Sequence, residues 1–441
     1  PDAYRALAEA HRVVLEAIEG SRAANDPDVL RLRTTLGALL ETRLDDPRGA
    51  LVQFTRVAAD EPTNEAAALS LIRVASRVGR WDAATKIVLD RAALAGGPDE
   101  TLLHALEEAA SAQAGWDALT GAFEAAIAQR ADLTSESLRD LEARLATWHR
   151  DRRADAEAAE AAYGRALSHD ATDTELLAQL AQLQRRHRGR PLIDSLLRLS
   201  QATGGEADLL REAAEVAARV VVDRGLAKTI LERLLKLASE RWTSGDDHPP
   251  STVSPDAVDE APPSVGASTH PSEHVEWALA ELLRVHNEEG AAERIVELLE
   301  TSAKLPFARP RARELLHEAG KTALDRVGDA QAALRLYASL FEEDPRDAAA
   351  ARRLAEVYAT LGRKEDLLAV RKKQIEVAGA ADERVAHRLD AALLERELGR
   401  VDDAVATLRA NLADAPRHAR TTLVLSETLE AATRWDERAG F

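Results

Sequence analysis

The sequence predicts an all-α chain in which repeated helical hairpins stack into a solenoid. Matching segments recur about 34 residues apart, and apolar residues recur at three- and four-residue steps. No β-branched alternation lasts for the length of a strand. The chain has 441 residues, whereas a single hydrophobic core stops growing at roughly 250–300 residues. The length therefore requires several domains or a repeat array.

The repeat is clearest in two segments that lie far apart in the chain. Residues 61–68 and 344–351 each begin with an acidic residue and a proline and continue into a run of alanines. In both units 34 residues separate two turn positions, which are Asp45 and Gly79 in one and Gly328 and Gly362 in the other. Further turn positions fit at Ala114, Ala154, Arg188, Gly225, Gly290, Gly399 and Thr433. This spacing predicts about eleven helical hairpins.

Each repeat unit is predicted to contain two amphipathic helices, here at 329–343 and 348–361. Pro345 ends the first helix, because the residue before a proline is pushed out of the α region, and Gly362 ends the second. The apolar stripes consist of Ala330, Ala333, Leu334, Tyr337 and Leu340 in the first helix and of Leu354, Val357, Tyr358 and Leu361 in the second. Neither helix can bury its stripe alone, so neighbouring units must supply the core.

The same unit carries a column pattern of turn Gly, Ala, aromatic residue, Pro, Leu–small pair and Tyr. Its residues are Gly328, Ala333, Tyr337, Pro345, Leu354-Ala355 and Tyr358. Partial matches are Ala50, Phe54, Pro62 and Leu71, then Ala159, Tyr163, Leu180 and Ala181, then Ala404, Pro416 and Leu425. The pattern resembles the tetratricopeptide repeat (TPR) family, which implies a right-handed α-solenoid, or superhelix, of about eleven TPR-like hairpins. The match is specific at 45–80 and 328–363 and degenerate around 188–240 and 290–320.

Three segments are predicted along the chain. They are an N-terminal TPR-like array at 1–243, an acidic insertion at 244–272 and a C-terminal array at 273–441 that continues the solenoid. The insertion has six prolines, five acidic residues and no Lys or Arg, a composition typical of a disordered loop. The chain contains no Met, and its first helix (3–18) resembles the second half of a repeat. Because a further repeat also begins at Trp435, we expect a fragment of a longer, multi-repeat protein.

Composition excludes several classes of protein. The net charge is −18, which argues against a binder of phosphate backbones, and no apolar run is long enough to span a membrane. Without Cys there is no disulfide, thiolate nucleophile or cysteine zinc site. Only eight of the 58 basic residues are Lys, and Arg and Ala are abundant, which favours a GC-rich bacterial source. A cytoplasmic location is expected, with the periplasm as an open alternative.

Catalytic motifs are weak throughout. His270 to His274 match an H-x-x-E-H order, but Pro271 interrupts the helix that a zinc protease needs. Lys321 lies in a G-K-T tail that lacks the first glycine of a phosphate loop. The other histidines are dispersed, and the tryptophans that follow turns (Trp81, Trp116, Trp435) are expected to pack between helices. We therefore expect no enzyme, no catalytic residue, no metal and no cofactor.

The TPR resemblance implies a protein–protein interaction scaffold that binds a protein or peptide on its concave face, which the first helix of each repeat lines. Carried over by register, six candidate peptide-binding residues are Arg73, Arg77, Arg185, Arg186, Arg352 and Glu356. Five arginines favour an acidic partner. The open alternative is that they pair with acidic residues of adjacent repeats, and the acidic residues 246–260 could also occupy the groove.

Other functions stay open at this point. The chain could be a regulatory or substrate-recruiting arm of a larger enzyme, or an RNA-processing helical-repeat protein. Three basic clusters bear on RNA, and they are Arg150/Arg152/Arg153, Arg185-Arg186-His187-Arg188/Arg190 and Arg371-Lys372-Lys373. Since no aromatic residues are interleaved with them and the chain is acidic, we expect salt-bridged helix surface and no nucleic acid partner.

Overall fold

The computed structural model describes residues 2–19, 25–245 and 270–433. Within these ranges all regular secondary structure is helical, and 22 helices follow one another as eleven consecutive hairpins. The predicted all-α architecture of about eleven hairpins is therefore confirmed. The chain divides into two compact units, Pro1–Asp223 and Arg224–Phe441.

The first unit contains twelve helices in its described residues. They are α1 (Asp2–Glu19), α2 (Pro27–Thr42), α3 (Pro47–Asp60), α4 (Glu65–Arg77), α5 (Trp81–Ala95), α6 (Glu100–Gln113), α7 (Trp116–Ile127), α8 (Ser135–Asp151), α9 (Ala156–His169), α10 (Thr174–Gln184), α11 (Arg190–Ala202) and α12 (Ala207–Val216). Each helix packs against its neighbour in the chain; in addition α4 packs against α6, and α5 against α7. Hairpins thus stack through both of their helices, as the buried stripes require.

The second unit contains ten helices in its described residues. They are α13 (Arg224–Ser244), α14 (Pro271–Glu289), α15 (Ala292–Ser302), α16 (Arg309–Thr322), α17 (Ala330–Glu343), α18 (Ala348–Thr360), α19 (Lys364–Val377), α20 (Ala381–Glu397), α21 (Val401–Asp414) and α22 (Ala419–Ala431). The start of α13 meets the end of α14, since an Arg224 nitrogen lies 3.4 Å from a Glu288 oxygen and Lys228 Nζ lies 3.6 Å from a Glu289 oxygen. These two helices are therefore an antiparallel hairpin.

The predicted insertion falls between those two helices. Ser244 is the last residue of α13 and Pro271 the first of α14, while 246–269 lie outside the described residues, as does Trp435. The predicted disorder of 244–272, its place in the groove and the segment boundaries stay predictions.

The turns that close the hairpins have left-handed backbone. Positive φ angles occur at the predicted turn positions Asp45, Gly79, Ala114, Ala154, Arg188, Gly290, Gly328, Gly362, Gly399 and Thr433. The prediction for Gly225 is wrong, because Gly225 lies inside α13 and the left-handed residue is Val222, with φ 57°. Val222 lies 34 residues after Arg188, so the repeat length is regular where the sequence indicated a longer gap.

Two hairpins end with a π-helical turn before the left-handed residue. Residues Ala217–Val221 follow α12, and residues Ala323–Val327 follow α16. The closing hydrogen bonds correspond, since the N–H of Asp223 donates to the carbonyl of Ala217 and that of Asp329 to the carbonyl of Ala323. The first of these turns lies in the degenerate region around 188–240, and the second directly follows the degenerate region around 290–320; each adds a residue to the helical turn.

The core depends on close contact between small and aromatic residues. A Cβ built on Gly320 would lie 2.8 Å from Cζ of Tyr337, and one built on Gly37 would lie 3.0 Å from the Phe54 ring. Both aromatic side chains are almost fully buried. Trp81 packs in the same way on Gly115, as expected for a tryptophan between helices. Small residues therefore let the helices approach closely, which explains a helical core with few aromatic residues.

Candidate protein-interaction face

The even-numbered helices each precede a left-handed turn, and the six residues that the TPR resemblance predicts for the groove lie on these helices or directly after them. The six predicted residues belong to three of them. Arg73 and Arg77 lie on α4, Arg185 and Arg186 directly follow α10, and Arg352 and Glu356 lie on α18. Four thus belong to the first unit and two to the second.

Arg73 is held by a buried carboxylate of the neighbouring even-numbered helix. Its Nε and a terminal nitrogen donate to the two oxygens of Glu41 at 2.7 and 2.9 Å. The Glu41 side chain is only 6% exposed, so its charge needs a partner. The hydrogen bond also raises the pKa of Arg73. Arg73 therefore ties α4 to α2.

Arg185 and Arg77 are also engaged within the first unit. Arg185 donates two hydrogen bonds of 2.8 Å to the carboxylate of Glu212 on α12, in the bidentate geometry that arginine favours. Arg77 donates to Oδ1 of Asp45 at 2.9 Å. Arg73, Arg77 and Arg185 therefore pair with acidic residues of adjacent repeats, which was the alternative to peptide binding that the sequence left open.

The remaining predicted residues have fewer contacts. Glu356 accepts a 2.9 Å hydrogen bond from Arg353 one turn earlier on α18. Arg186 and Arg352 are exposed, and within the described part of the chain neither forms an ion pair. That the six residues form a binding site stays a prediction. Among the six, Arg186 and Arg352 are the arginines whose guanidinium groups are not paired with a carboxylate in the described chain.

Arginine–carboxylate bridges join other pairs of even-numbered helices. Arg144 of α8 contacts Glu107 of α6, which also accepts a 2.7 Å hydrogen bond from Trp148 Nε1. Arg311 of α16 lies 2.9 Å from Glu276 of α14. Such bridges join successive even-numbered helices, an arrangement that single-residue patterns in the sequence do not reveal.

One bridge joins α16 to the start of α18 through Asp347. Among the carboxylates whose pKa is shifted, Asp347 has the most buried side chain. Asp347 caps α18 by accepting from the N–H groups of Ala349 and Ala350, and it also contacts Arg313 and His317 Nε2, the latter at 2.8 Å. Burial raises the pKa of Asp347, but the hydrogen bonds from Ala350, His317 and Arg313 outweigh burial and lower it to about 2. Asp347 is therefore ionised at neutral pH.

The histidines of the described residues do not assemble into a site. His270 is exposed and caps the start of α14, whereas His274 is buried within the helix. No group of three or more His, Cys, Asp or Glu that could hold a metal ion occurs among the described residues. In the same residues no helix is both long enough and apolar enough to cross a membrane.

The three basic clusters differ in how much charge they leave free. Arg371, Lys372 and Lys373 all pair with acidic residues. Arg150 and Arg153 are also paired, while Arg152 lies over the Trp116 ring, 5.3 Å from its centroid. In the cluster after α10, Arg185 and Arg190 are paired, the latter with Asp223. Arg186 and Arg188 have no acidic partner in the described chain.

Contacts now support the column pattern of the sequence. In two hairpins an aromatic residue, Phe54 or Tyr337, lies nine positions after a left-handed turn. It rests on a glycine, Gly37 or Gly320, that lies eight positions before the same turn. Helices before and after a left-handed turn alternate along the described chain. The fold is TPR-like.

Comparison with known proteins gives little beyond this. No family model matches the chain, and no curated protein matches it. Among solved structures, the TPR domain of P58(IPK) is 16% identical, with 89% of this chain and 98% of that chain covered and a TM-score of 0.21. The APC/C hetero-tetramer Cut9–Hcn1 is 13% identical, with 92% and 76% covered and a TM-score of 0.23. Because these TM-scores are low, the TPR-like fold is assigned from the hairpin register and not from either superposition.

Proposed function

We propose that the chain is a non-catalytic protein–protein interaction scaffold that binds a protein or peptide segment along the face of its even-numbered helices. The observation that carries this proposal is the repeat register. Successive even-numbered helices are tied at a fixed spacing by buried or half-buried arginine–carboxylate bridges. Exposed side chains on such helices recur at regular intervals, which suits an extended polypeptide.

The even-numbered helices of the second unit form a groove. A groove of about 480 Å³ lies along α20 and the start of α22. Its apolar residues include Val385, Leu389 and Leu393, and its charged residues are Asp382, Asp390 and Arg420. Arg352 on α18 is exposed and forms no ion pair in the described chain. This combination fits a partner segment that carries an apolar side chain flanked by charged groups.

Affinity capture followed by mass spectrometry tests the proposal, with titration calorimetry on each recovered partner. We expect Arg352→Glu to weaken binding of a genuine partner by about five-fold or more, since attraction to an exposed charge is replaced by repulsion. Arg346→Glu is the matched control, because Arg346 is also exposed and unpaired in the described chain but precedes α18. Equal binding by both variants and the wild type would contradict a site on this face.

A further inference from the structure

In several repeats the residue two positions before the left-handed turn reaches back towards the preceding turn. Arg77 precedes the turn at Gly79 and contacts Asp45, the previous turn residue, at 2.9 Å. Glu397 precedes the turn at Gly399 and lies 2.9 Å from Lys364, which follows the turn at Gly362. In these repeats a charged side chain is thus directed at the turn of the neighbouring repeat.

Two successive arginines occupy this position without a carboxylate to meet. Arg152 precedes the turn at Ala154 and reaches Trp116, next to the preceding turn at Ala114. Arg186 precedes the turn at Arg188, and the preceding turn residue is Ala154. The preceding turn residue is Asp45 for Arg77, whereas it is Ala114 for Arg152 and Ala154 for Arg186, so neither of these two turns supplies a carboxylate.

The acidic residues close to these turns are already engaged. Asp155 caps α9 by accepting from the N–H of Ala158 at 3.0 Å and lies 3.6 Å from Arg153. Asp117 pairs with Arg153, and Asp151 pairs with Arg150. The positive charges of Arg152 and Arg186, together with that of Arg188 on the turn itself, are consequently left exposed on neighbouring turns. We call Arg152, Arg186 and Arg188 the turn ridge.

We propose that the turn ridge is a docking surface for an acidic polypeptide segment, whose carboxylates take the place beside Arg152 and Arg186 that Asp45 fills beside Arg77. This inference deepens the proposed scaffold function and rests on it, but it places the contact on the turns instead of the helix face. Charge complementarity selects the occupant, because the ridge is a cationic patch on a chain of net charge −18. Its fork-shaped donors suit carboxylates.

Nucleic acid fits this surface less well. Single-stranded nucleic acid binds through a long basic track and stacks its bases on aromatic rings. Here the ridge has three arginines, and the nearby Trp116 ring is covered by Arg152. A polypeptide with a few carboxylates matches the small number of these guanidinium groups.

Fluorescence anisotropy with a labelled polyglutamate peptide at low salt tests the ridge on the full chain. We expect the wild type to bind and Arg152→Gln/Arg186→Gln to bind at least about five-fold more weakly, as the loss of charge-assisted contacts requires. The control is Arg48→Gln/Arg346→Gln, which removes the same charge from two exposed arginines that are unpaired in the described chain. It should bind like the wild type.

A second variant fills the ridge from within. Ala114→Asp/Ala154→Asp supplies the missing carboxylates at positions where the backbone has φ 48° and 53°, close to the φ 50° of Asp45. Aspartate tolerates this conformation better than alanine, so the variant should fold. We expect it to lose polyglutamate binding as fully as the double glutamine variant does.

The outcomes separate the ridge from the scaffold function. The ridge proposal fails if the wild type does not bind polyglutamate, if both ridge variants bind it unchanged, or if the control loses as much affinity. It also fails if labelled polyuridine RNA binds more tightly and is lost by the same variants. A partner that depends on Arg352 but not on the ridge would overturn this inference and leave the scaffold function standing.

Discussion

At the scale of single residues, the left-handed turn position constrains this chain most strongly. Glycine takes it at Gly79, Gly290, Gly328, Gly362 and Gly399, where the lack of a Cβ removes the steric cost. Elsewhere the position is held by residues with side chains. Val222 and Thr433 are the most strained of these, because a β-branched side chain strongly disfavours positive φ.

Replacing Val222 by glycine is therefore expected to stabilise the first unit. Val222 is 66% exposed, so little packing is lost. The relief of about 1–2 kcal/mol of left-handed strain exceeds the entropic cost of about 0.5–1 kcal/mol for a glycine. We expect Val222→Gly to raise the free energy of unfolding in urea by about 1 kcal/mol. Val220→Gly is the control. Val220 is also an exposed valine but lies in the helical turn, so this substitution should lower the free energy of unfolding.

A second residue-scale constraint is the buried imidazole of His149 on α8. Its Nδ1 lies 2.9 Å from a terminal nitrogen of Arg153, and it therefore acts as the acceptor. Burial lowers the pKa of His149, and the positive charge of Arg153 lowers it further, against the opposing charges of Glu124 and Asp155. The folded chain thus prefers the neutral ring.

This preference sets a pH dependence of stability. Because the folded pKa is below the unfolded value of about 6.5, the contribution is complete above about pH 6.5 and is lost as the pH falls towards the folded pKa. We expect the free energy of unfolding to decrease below that pH by up to about 1.4 kcal/mol per unit. His149→Asn, whose Oδ1 can accept from Arg153, should flatten that slope. His187→Asn, at an exposed position, should not change it.

At the scale of elements, the hairpin was predictable because its signals are local. Pro345 and Gly362 mark helix ends, and the stripe through Tyr337 and Leu340 marks the buried face; each of those signals depends on neighbours a few residues away. Gly225 misled the prediction because glycine is the usual left-handed residue, and the π-helical turn that delivers Val222 to this position depends on how α12 packs. The aromatic–glycine contacts join helices that are adjacent in the chain, so they follow from the register.

The contact between α16 and α17 gives an element-scale test. In Gly320→Ala the new Cβ would lie 2.8 Å from Tyr337 Cζ, so the ring must move at a cost of about 1–3 kcal/mol. The same substitution should cost less in a Tyr337→Leu background, where the ring is absent. Gly164→Ala on α9 is the control, since nothing lies within 4 Å of the new Cβ. It should stabilise its helix by about 0.5–1 kcal/mol. Additive effects of Gly320→Ala and Tyr337→Leu would show that the contact is unimportant.

At the scale of the whole chain, the candidate site was less predictable than the fold. The register selected Arg73 on α4 and Arg185 and Arg186 directly after α10, but it could not distinguish a paired guanidinium group from a free one. Pairing depends on a carboxylate about one repeat away, such as Glu41 for Arg73 and Glu212 for Arg185. The turn residue one repeat earlier also matters. Asp45 pairs with Arg77, whereas Ala154, at the equivalent position for Arg186, has no carboxylate.

The hairpin of α13 and α14 makes the predicted insertion testable on the whole chain. Since the ion pairs at the start of α13 and the end of α14 close this hairpin, residues 246–269 connect its two helices at the opposite end. The entropy of closing a flexible loop grows slowly, by about 0.6 kcal/mol for each doubling of its length. Replacing 246–269 by a Gly-Ser linker about a third as long should therefore raise the free energy of unfolding by about 1 kcal/mol or leave it unchanged.

A scrambled version of 246–269 separates composition from sequence in this experiment, because it keeps the five acidic residues of that segment. It should unfold at the urea concentration of the wild type. A loss of several kcal/mol in the linker variant, or in the scrambled one, would mean that this segment packs specifically against the helices. The division into arrays at 1–243 and 273–441 with an insertion at 244–272 would then have to be abandoned. A small change in the free energy of unfolding of both variants is what we expect for an insertion tolerated within one hairpin.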